Sequence, residues 1–349
     1  MNDYMKRMDL QLFATQTTTL SNSGNSLNAE MKTFYDMRLI DEAGPALVHD
    51  QFGQKRPIPK NGGKTIEFRK FTPLAKVTGN LTEGVTPSGD KLDVTAKTST
   101  VKQYGNFIVM SDVLELTALD NVLLETVKLM GKNAGVSLDT ATRNVLNGGT
   151  NVTYCPKVAS GGAQTEVTSR SAMDLTSKLT VDVVQRVVAK LRAQNAPTIN
   201  GEYVAIIHPY VAYDLMRDPE WIDAHKYAQP ENLYKGEIGK IAGVRFVQST
   251  EAKIWRDNTC PAQSGATPAY YGVFSTLFLG EGAYGVTEIE GGGLQTIIKQ
   301  KGSGGTEDPL DQRSSVGWKA MKTAEILVEN YLVRVESLSP VFSANVAAN

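Results

Sequence analysis

The longest helical pattern in the chain runs from residue 117 to residue 148. Its apolar residues recur at intervals of three and four, the spacing that turns one stripe of a helix towards a core. These residues are Leu119, Val122, Leu123, Val127, Met130, Ala134, Leu138, Ala141 and Val145. Thr117 is placed to cap the first turn, and Gly148 and Gly149 are placed to end the last turn in a left-handed conformation. At 1.5 Å per residue the helix would be about 45 Å long, so we interpret it as the spine helix of a domain.

Three small residues interrupt the spine helix near its middle. They are Gly131, Ala134 and Gly135. Because glycine costs about 1 kcal/mol relative to alanine inside a helix, the two glycines favour a notch against which another element packs closely. The alternative, two glycines tolerated on an exposed face, remains open.

Strand-like sequences ahead of the spine helix predict a long β-ribbon. Residues 64–71 alternate apolar and polar side chains, residues 93–110 are rich in Val and Thr, and the segment between them contains Gly84, Pro87 and Gly89. With about 20 residues on each side, the ribbon would extend up to about 65 Å. A two-stranded ribbon is marginally stable alone in water, so we expect a neighbouring copy of the chain to support it.

The ribbon is also rich in basic residues. Seven cations and a single acid, Glu67, lie between residues 55 and 76. The cations that we consider candidates for inter-subunit contacts are Lys64, Arg69, Lys70, Lys76, Lys91 and Lys97. Candidate acidic partners are Asp218, Glu220 and Asp223. The alternative is a solvated hairpin whose lysines protect its edges from aggregation.

The rest of the chain predicts a polar arm, a short helix and a mixed α/β domain. Residues 15–26 cannot bury a core, so residues 1–26 should order only on a neighbouring subunit, and residues 27–43 have helical spacing. Residues 150–176 are typical of a loop or weak hairpin. Two further helices are predicted, one capped by Thr180 and ending before Pro197, and one at Pro209–Met216. A buried strand is predicted at Tyr203–Ile207, and further strands at 244–247, 270–274 and 294–299. Residues 316–335 predict a long strand with an interruption near Thr323.

Composition excludes several classes of protein. The chain has 349 residues, 36 basic and 37 acidic, and a net charge of −1 gives no field for binding nucleic acid generally. Its longest apolar runs are far shorter than the ~20 residues of a membrane helix, and its N-terminal residues do not form a secretory signal. Cys155 and Cys260 are too few for a disulfide framework or a cysteine-based metal site.

No motif predicts a catalytic, cofactor or metal site. The glycines of GEGAYG at 280–285 match a dinucleotide fingerprint, but a strand-like sequence follows where a helix is required. The sequence NGGKT at 61–65 is interpreted as a turn for the same reason. The three histidines lack metal-ligand spacing. Asp218, Glu220 and Asp223 could form a catalytic carboxylate pair, although a helix start that favours negative charge is the simpler interpretation.

The order of parts and three sequence blocks resemble a known family. The blocks are MKTFYDMRLIDEAGPALVHDQFGQKRPIPKNGGKTIEFRKF, IIHPYVAYDLMRDPEWIDAHKYA and GEIGKIAGVRFVQST. They are similar to major capsid proteins of tailed double-stranded DNA bacteriophages, in the group of the phage N-four capsid protein. The resemblance implies an α+β capsid fold of the HK-ninety-seven type. It implies an arm and short helix at 1–50, an extended ribbon or E-loop at 51–110, a peripheral domain at 111–175 with 303–349, and a mixed α/β axial domain at 176–302.

The resemblance also implies function and partners. The chain would self-assemble as hexamers and pentamers into an icosahedral shell that encloses the phage genome, with no catalysis, no cofactor, no membrane and no sequence-specific DNA binding. Its candidate partners would be a separate scaffolding protein, a portal protein and a decoration protein. It would assemble in the cytoplasm of the host bacterium and reside in the virion capsid. Two alternatives remain: the shell of a protein nanocompartment that holds a cargo enzyme, and a soluble α/β enzyme that uses the acidic cluster at 218–223.

Overall fold

The computed structural model describes most of the chain beyond the predicted arm. The described residues are 39, 47–71, 74, 76–80, 83–84, 86, 89–117, 122–228, 239–263, 265, 269–302 and 308–349. The predicted arm at 1–26 lies outside them, as does the predicted helix at 27–43 apart from Leu39, which is helical and buried.

The described residues form five α-helices and sixteen strands. The helices are α1 (Asp112–Thr117), α2 (Val122–Leu146), α3 (Val181–Ala193), α4 (Pro209–Met216) and α5 (Pro219–Ala228). The strands are β1 (Gln54–Lys55), β2 (Thr65–Phe71), β3 (Val94–Thr100), β4 (Lys102–Ser111), β5 (Val152–Tyr154), β6 (Lys157–Val158), β7 (Gln164–Thr165), β8 (Tyr203–Ile207), β9 (Lys240–Ile241), β10 (Val244–Gln248), β11 (Ile254–Trp255), β12 (Val273–Leu279), β13 (Tyr284–Glu288), β14 (Gln295–Lys299), β15 (Arg313–Ile326) and β16 (Leu332–Ser337).

The described chain divides into two compact units. Residues 105–134 and 294–319 lie in the first unit, and residues 47–104, 135–293 and 320–349 lie in the second. The spine helix α2 and strand β15 each contribute residues to both units. The division of the chain into arm, E-loop, peripheral and axial domains remains a prediction.

A seven-stranded mixed sheet organises the second unit. Its order is β5-β16-β12-β8-β10-β9, and β11 pairs with β12. Tyr203, Ala205 and Ile207 of β8 face a core that includes Val184, Val187 and Leu191 of α3 and Leu215 of α4. Ile206 belongs to a second core with Leu277, Leu332 and Leu146 at the end of the spine helix. Because both faces of β8 are covered, its sequence is a continuous apolar run, as expected for a buried strand.

Strand β15 pairs with a different neighbour in each unit. Residues 315–319 of β15 pair with β14 in the first unit, and residues 322–326 pair with β13 in the second unit. β4 also pairs with β15, and β1 pairs in parallel with β13. The first unit therefore contains a sheet in which β15 lies between β14 and β4.

The predicted spine helix is present. Its predicted first residue, Thr117, is instead the last described residue of α1, and the described part of the spine helix, α2, begins at Val122. Residues 118–121, between them, lie outside the described part. The signal for the earlier helical turn is Ser111 and Asp112, since the Ser111 hydroxyl accepts a hydrogen bond from the Leu114 amide at 3.3 Å.

The predicted left-handed end of the spine helix is also wrong. Neither Gly148 nor Gly149 has a positive φ. The helix tightens instead, with the amides of Gly148 and Gly149 donating to the carbonyls of Val145 and Leu146 at 3.0 and 3.3 Å. Gly149 serves close packing, because a Cβ there would lie 3.2 Å from both Glu329 Oε2 and Ile326 Cδ1.

The ribbon is confirmed, although its regular part is shorter than predicted. β2 and β3 pair antiparallel over seven residue pairs, from Thr65 opposite Thr100 to Phe71 opposite Val94. At about 3.3 Å per residue this part is about 23 Å long. The predicted return strand at 93–110 is split at Val101, after which β4 leaves the ribbon and pairs with β15.

The elements predicted for the second unit are mostly confirmed. Thr180 caps α3, and the bounds of β8 and α4 agree with the prediction. The weak hairpin is β6 with β7. The predicted strand at 270–274 is placed too early, because β12 begins at Val273. The predicted interruption near Thr323 is wrong, because Thr323 pairs with Thr287 inside β15 and the break comes at the 3-10 turn Glu329–Tyr331.

Candidate functional site

An exposed apolar surface follows β4 and α1 in the first unit, and we call it the β4–α1 surface. Its members are Phe107, Val109, Val113 and Leu114, while Ile108, which is also exposed, lies on the other face of β4. Phe107 is 69% exposed and Val113 is 62% exposed. Among the described strands β4 pairs only with β15, so it lies at an edge of its sheet. A long apolar edge strand is an association site unless something covers it.

Hydrogen bonds hold the opposite face of β4 in place. Asn106 Nδ2 donates to Asn133 Oδ1 at 3.2 Å, and Trp318 Nε1 donates to the same oxygen at 3.0 Å. Met110 is buried, and its Sδ accepts a hydrogen bond from the Thr126 hydroxyl at 3.6 Å. Phe107 is therefore exposed on a strand that is fixed from its other side.

Glycine lets β15 approach the β4–α1 surface closely. A Cβ at Gly317 would lie 2.9 Å from the Cβ of Phe107 and 3.0 Å from the carbonyl of Asn106. Ile297, itself partly exposed, is the sheet partner of Gly317 on β14. Gly317 is itself buried, and β4 and β15 lie this close together because position 317 carries no side chain.

The root of the ribbon is anchored within the second unit. Phe68 is buried, and a Cβ at Gly285 would lie 2.7 Å from its ring, so the ring packs against the backbone of β13. The Ser99 hydroxyl lies 2.8 Å from that of Thr323. Beyond the root, the side chains of Leu74, Val77, Leu92 and Val94 are exposed, and Val77 is 82% exposed.

All six predicted contact cations of the ribbon are exposed. Arg69 Nε lies 2.8 Å from Glu67 Oε1, Lys97 Nζ lies 4.0 Å from Glu325 Oε1, and Lys70 Nζ lies 5.3 Å from the centre of the Tyr331 ring. For Lys64, Lys76 and Lys91 the described residues supply no ion-pair partner. Exposed ion pairs of this kind each stabilise a protein by only 0.2 to about 1 kcal/mol. The ribbon can therefore exchange these contacts within the chain for contacts with another surface at little cost in free energy.

A buried polar cluster, unexpected from the sequence, fixes the chain just before the ribbon. His49 donates its amide to Asp139 Oδ1 at 2.7 Å, and its Nδ1 lies 2.6 Å from Asp139 Oδ2. Asp50 accepts the Thr142 hydroxyl at 2.6 Å and contacts Lys322 Nζ. These five side chains, here called the buried polar cluster, connect residues 49–50 to α2 and β15 within the second unit.

Tyr284 closes the buried polar cluster from β13. Its hydroxyl donates to the carbonyl of His49. Burial, reinforced by the nearby charge of Asp50, raises the pKa of this hydroxyl well above its usual value, so it stays a neutral donor. A Cβ at Gly53 would lie 2.5 Å from the Tyr284 ring, and only a glycine lets the chain pass it at this distance.

The acidic residues predicted as partners or as a catalytic pair are not equivalent. Asp218 is buried and caps two helices, since its Oδ2 accepts the Val181 amide at 2.9 Å and its Oδ1 accepts the Glu220 amide at 3.3 Å. Glu220 and Asp223 are exposed on α5. Asp218 and Glu220 line a cavity of about 600 Å³ together with Lys178. Asp218 is thus engaged in capping, and the simpler of the two sequence interpretations describes it best.

The predicted notch residues Gly131, Ala134 and Gly135 are all buried. The two glycine motifs that resemble a nucleotide loop and a phosphate loop run into strands, as the sequence indicated: β13 begins at Tyr284, within GEGAYG, and β2 begins at Thr65, the last residue of NGGKT. Within the described ranges, no group of three or more His, Cys, Asp or Glu side chains is placed to bind a metal ion. No helix among the described residues is long and apolar enough to cross a membrane.

Comparison with known proteins decides the family. The sequence model of the phage capsid protein family matches residues 18–303. The chain belongs to the phage capsid protein family. It is therefore a structural protein that forms the capsid shell of a virion, and the hypothesis of a soluble enzyme that uses the acidic cluster is set aside. No curated protein matches the chain significantly by sequence.

Solved capsid structures share the fold of this phage capsid protein. The capsid of Ralstonia phage GP4 aligns with a TM-score of 0.60 at 14% identity, over 82% of this chain and 87% of that chain. The capsid of cyanophage P-SCSP1u aligns with a TM-score of 0.58 at 15% identity, over 82% and 87%. The capsid of cyanophage Pam1 aligns with a TM-score of 0.59 at 13% identity, over 99% and 100%. The α+β fold of the HK-ninety-seven type is thereby confirmed.

Sequence reasoning missed two features of this capsid protein. The residues NFIVM at 106–110 were assigned to a strand, but alternation did not show which of them would be exposed, because the apolar residues run consecutively. The buried polar cluster left no periodic signal, since His49 and Asp50 find their partners about 90 residues away in Asp139 and Thr142.

Proposed function

We propose that this capsid protein assembles as hexamers and pentamers into an icosahedral shell around a double-stranded DNA genome. Assembly takes place in the cytoplasm of the host bacterium on a separate scaffolding protein, with a portal protein at one vertex and possible decoration outside. The DNA is enclosed without sequence-specific contacts. The net charge of −1 supports this, because it provides no general attraction for nucleic acid.

The observation that carries the proposal is the number of exposed apolar side chains on β4, on α1 and in the segments beyond the paired part of the ribbon. Phe107 and Val113 on the β4–α1 surface and Val77 and Leu92 on the ribbon are each more than half exposed. Burial of apolar surface contributes about 25 cal/mol per Å², so several such side chains per contact supply a substantial driving force for association. A shell supplies every subunit with partners for these surfaces.

In this proposal, the basic ribbon lies on an acidic surface of an adjacent subunit. Lys64, Lys76 and Lys91 are exposed, and Glu220 and Asp223 are exposed candidates for their partners. Each exposed pair would contribute 0.2 to about 1 kcal/mol, and repetition around a shell multiplies the effect. The carboxylate of Asp218 already accepts the amides of Val181 and Glu220, so Asp218 is not a partner for the ribbon cations. It supports the acidic surface indirectly, because it caps the helix that carries Glu220 and Asp223.

Charge reversal on the ribbon tests the proposal. We expect the double variant Lys64→Glu with Lys76→Glu to leave the subunit folded and to stop or loosen assembly, measured by circular dichroism and by electron microscopy of particles. The matched control is Arg192→Glu with Lys240→Glu, two exposed cations away from the ribbon, which should assemble normally. Normal particles from the ribbon variant, with unchanged sensitivity to salt, would contradict the ribbon contact.

The contents of the particles test the rest. A virion shell should purify from infected cells with DNA and a portal protein, whereas a nanocompartment should purify with a cargo enzyme. The match to the phage capsid protein family favours the virion shell.

A further inference from the structure

The sequence contains three Asn-Gly pairs, at Asn61-Gly62, Asn147-Gly148 and Asn200-Gly201. In such a pair the backbone nitrogen of the glycine can attack the side-chain amide carbon of the asparagine. A five-membered succinimide forms, ammonia leaves, and addition of one water yields aspartate or isoaspartate. Glycine favours the reaction because it has no Cβ to hinder the attack. The structure places the three pairs in different environments.

Asn200 and Gly201 form the tip of a two-residue hairpin. Ile199 and Glu202 flank the tip and exchange backbone hydrogen bonds at 2.8 and 3.2 Å. Asn200 has φ of 53° and Gly201 has φ of 87°, which is the geometry of a tight primed turn. Both residues are exposed, and in the described part of the chain neither the Asn200 side chain nor the Gly201 amide has a hydrogen-bond partner.

The other two pairs are held by hydrogen bonds. The Gly62 amide donates to the carbonyl of Pro59 at 2.9 Å, so the nitrogen that would attack is occupied. Asn147 is held more firmly, because its Nδ2 donates to the carbonyl of Arg143 at 2.8 Å and its Oδ1 accepts the Ser275 hydroxyl at 2.6 Å. The Gly148 amide is bonded as well, to Val145.

We propose that Asn200 is a site of spontaneous deamidation in this protein, and that Asn61 and Asn147 are protected by their hydrogen bonds. Asn200 lines a cavity of about 300 Å³ together with Gln54 and Glu281. Conversion of Asn200 therefore adds a negative charge beside Glu281, at the point where the chain enters the ribbon. Particles that persist for long periods without turnover accumulate this change.

The test is peptide mass spectrometry of the purified full-length subunit after incubation at 37 °C and mildly alkaline pH. Each converted asparagine adds about one dalton to its peptide. We expect the peptide of Asn200 to convert first and the peptide of Asn147 to convert at least about tenfold more slowly, since both side-chain hydrogen bonds of Asn147 must open before the succinimide can form. The variant Asn200→Asp supplies the authentic aspartate product, and Asn200→Gln should abolish the signal of that peptide.

The same incubation in urea is the matched control for sequence effects. All three pairs should then convert at rates within about threefold of one another, because the hydrogen bonds that protect Asn61 and Asn147 are lost on unfolding. The proposal is overturned if Asn61 or Asn147 converts as fast as Asn200 in the folded subunit. It is also overturned if the order of rates persists in urea, because the sequence and not the fold would then set it.

Discussion

Replacing Lys322 with methionine should strongly destabilise the subunit. The side chain of Lys322 is 3% exposed, and its Nζ contacts Asp50 Oδ2 and lies 3.2 Å from the carbonyl of Leu138. Methionine fills the space but leaves the Asp50 carboxylate buried with the Thr142 hydroxyl as its remaining donor among these contacts. Removing one partner of a buried ion pair costs about 3 to 5 kcal/mol, most of it from the uncompensated charge.

The assay is urea unfolding of the unassembled subunit at neutral pH, followed by circular dichroism. The control is Lys240→Met, because Lys240 pairs with Glu202 at 2.6 Å on the surface and its loss should cost less than about 1 kcal/mol. The double variant Lys322→Met with Asp50→Asn should recover most of the loss, since no charge is then left unpaired. The reasoning is refuted if Lys322→Met costs no more than the control, or if the second substitution recovers nothing.

Three further predictions follow from other parts of the molecule. Burial lowers the pKa of His208 to about 4 in the folded subunit, whereas its pKa in the unfolded chain is about 6.5. As the pH falls from about 6.5 to about 4, the unfolded chain therefore binds a proton that the folded subunit does not bind. The free energy of unfolding should then decrease by at most about 2 kcal/mol, after discounting for solvent contact. His208→Asn keeps a cap for the Tyr210 amide and should remove this dependence in acid titrations of the unfolding midpoint. Phe107→Asp should change the free energy of unfolding by less than about 0.5 kcal/mol because the ring is exposed, yet prevent particle formation in electron microscopy; particles of normal yield would contradict a role for the β4–α1 surface. Gly135→Val should lower the melting temperature or produce misassembled shells, because a branched side chain in a packed notch costs about 1 to 3 kcal/mol; a Gly135→Ala variant that is more stable and assembles normally would show that the notch is open.

Elements whose periodicity and end signals agree could be predicted from the sequence. Thr180 caps α3, Pro209 begins α4, and the apolar run Tyr203–Ile207 is a buried strand, each within local sequence. Local agreement of this kind leaves few competing structures. The short helix α1 ahead of the spine helix was not predicted as a separate element, although Ser111 accepts a hydrogen bond from the Leu114 amide in its first turn.

Features that depend on distant partners could not be predicted. The split of the return strand at Val101 reflects pairing of β4 with β15, some 200 residues later in the chain. The sequence indicated that Asp218 lies at the start of a helix, but it did not indicate that the same carboxylate also accepts the amide of Val181 on α3. In both cases the contact that determines the structure joins two segments, and neither sequence indicates which segment will be its partner.

In the second unit, buried charges fix the root of the ribbon, whereas the charges farther along the ribbon are exposed and can bind a partner. At the root of the ribbon, Asp50 and Lys322 are buried and their pairing is little screened by salt, so the position at which the ribbon leaves the sheet is set within the subunit. Farther out, Lys64 and Lys76 are exposed, and their attraction for an acidic partner falls as ionic strength rises. A ribbon with a fixed root and weak, screened contacts can dock, release and dock again while a shell closes. In the proposed shell, contacts this weak would suffice because every subunit repeats them.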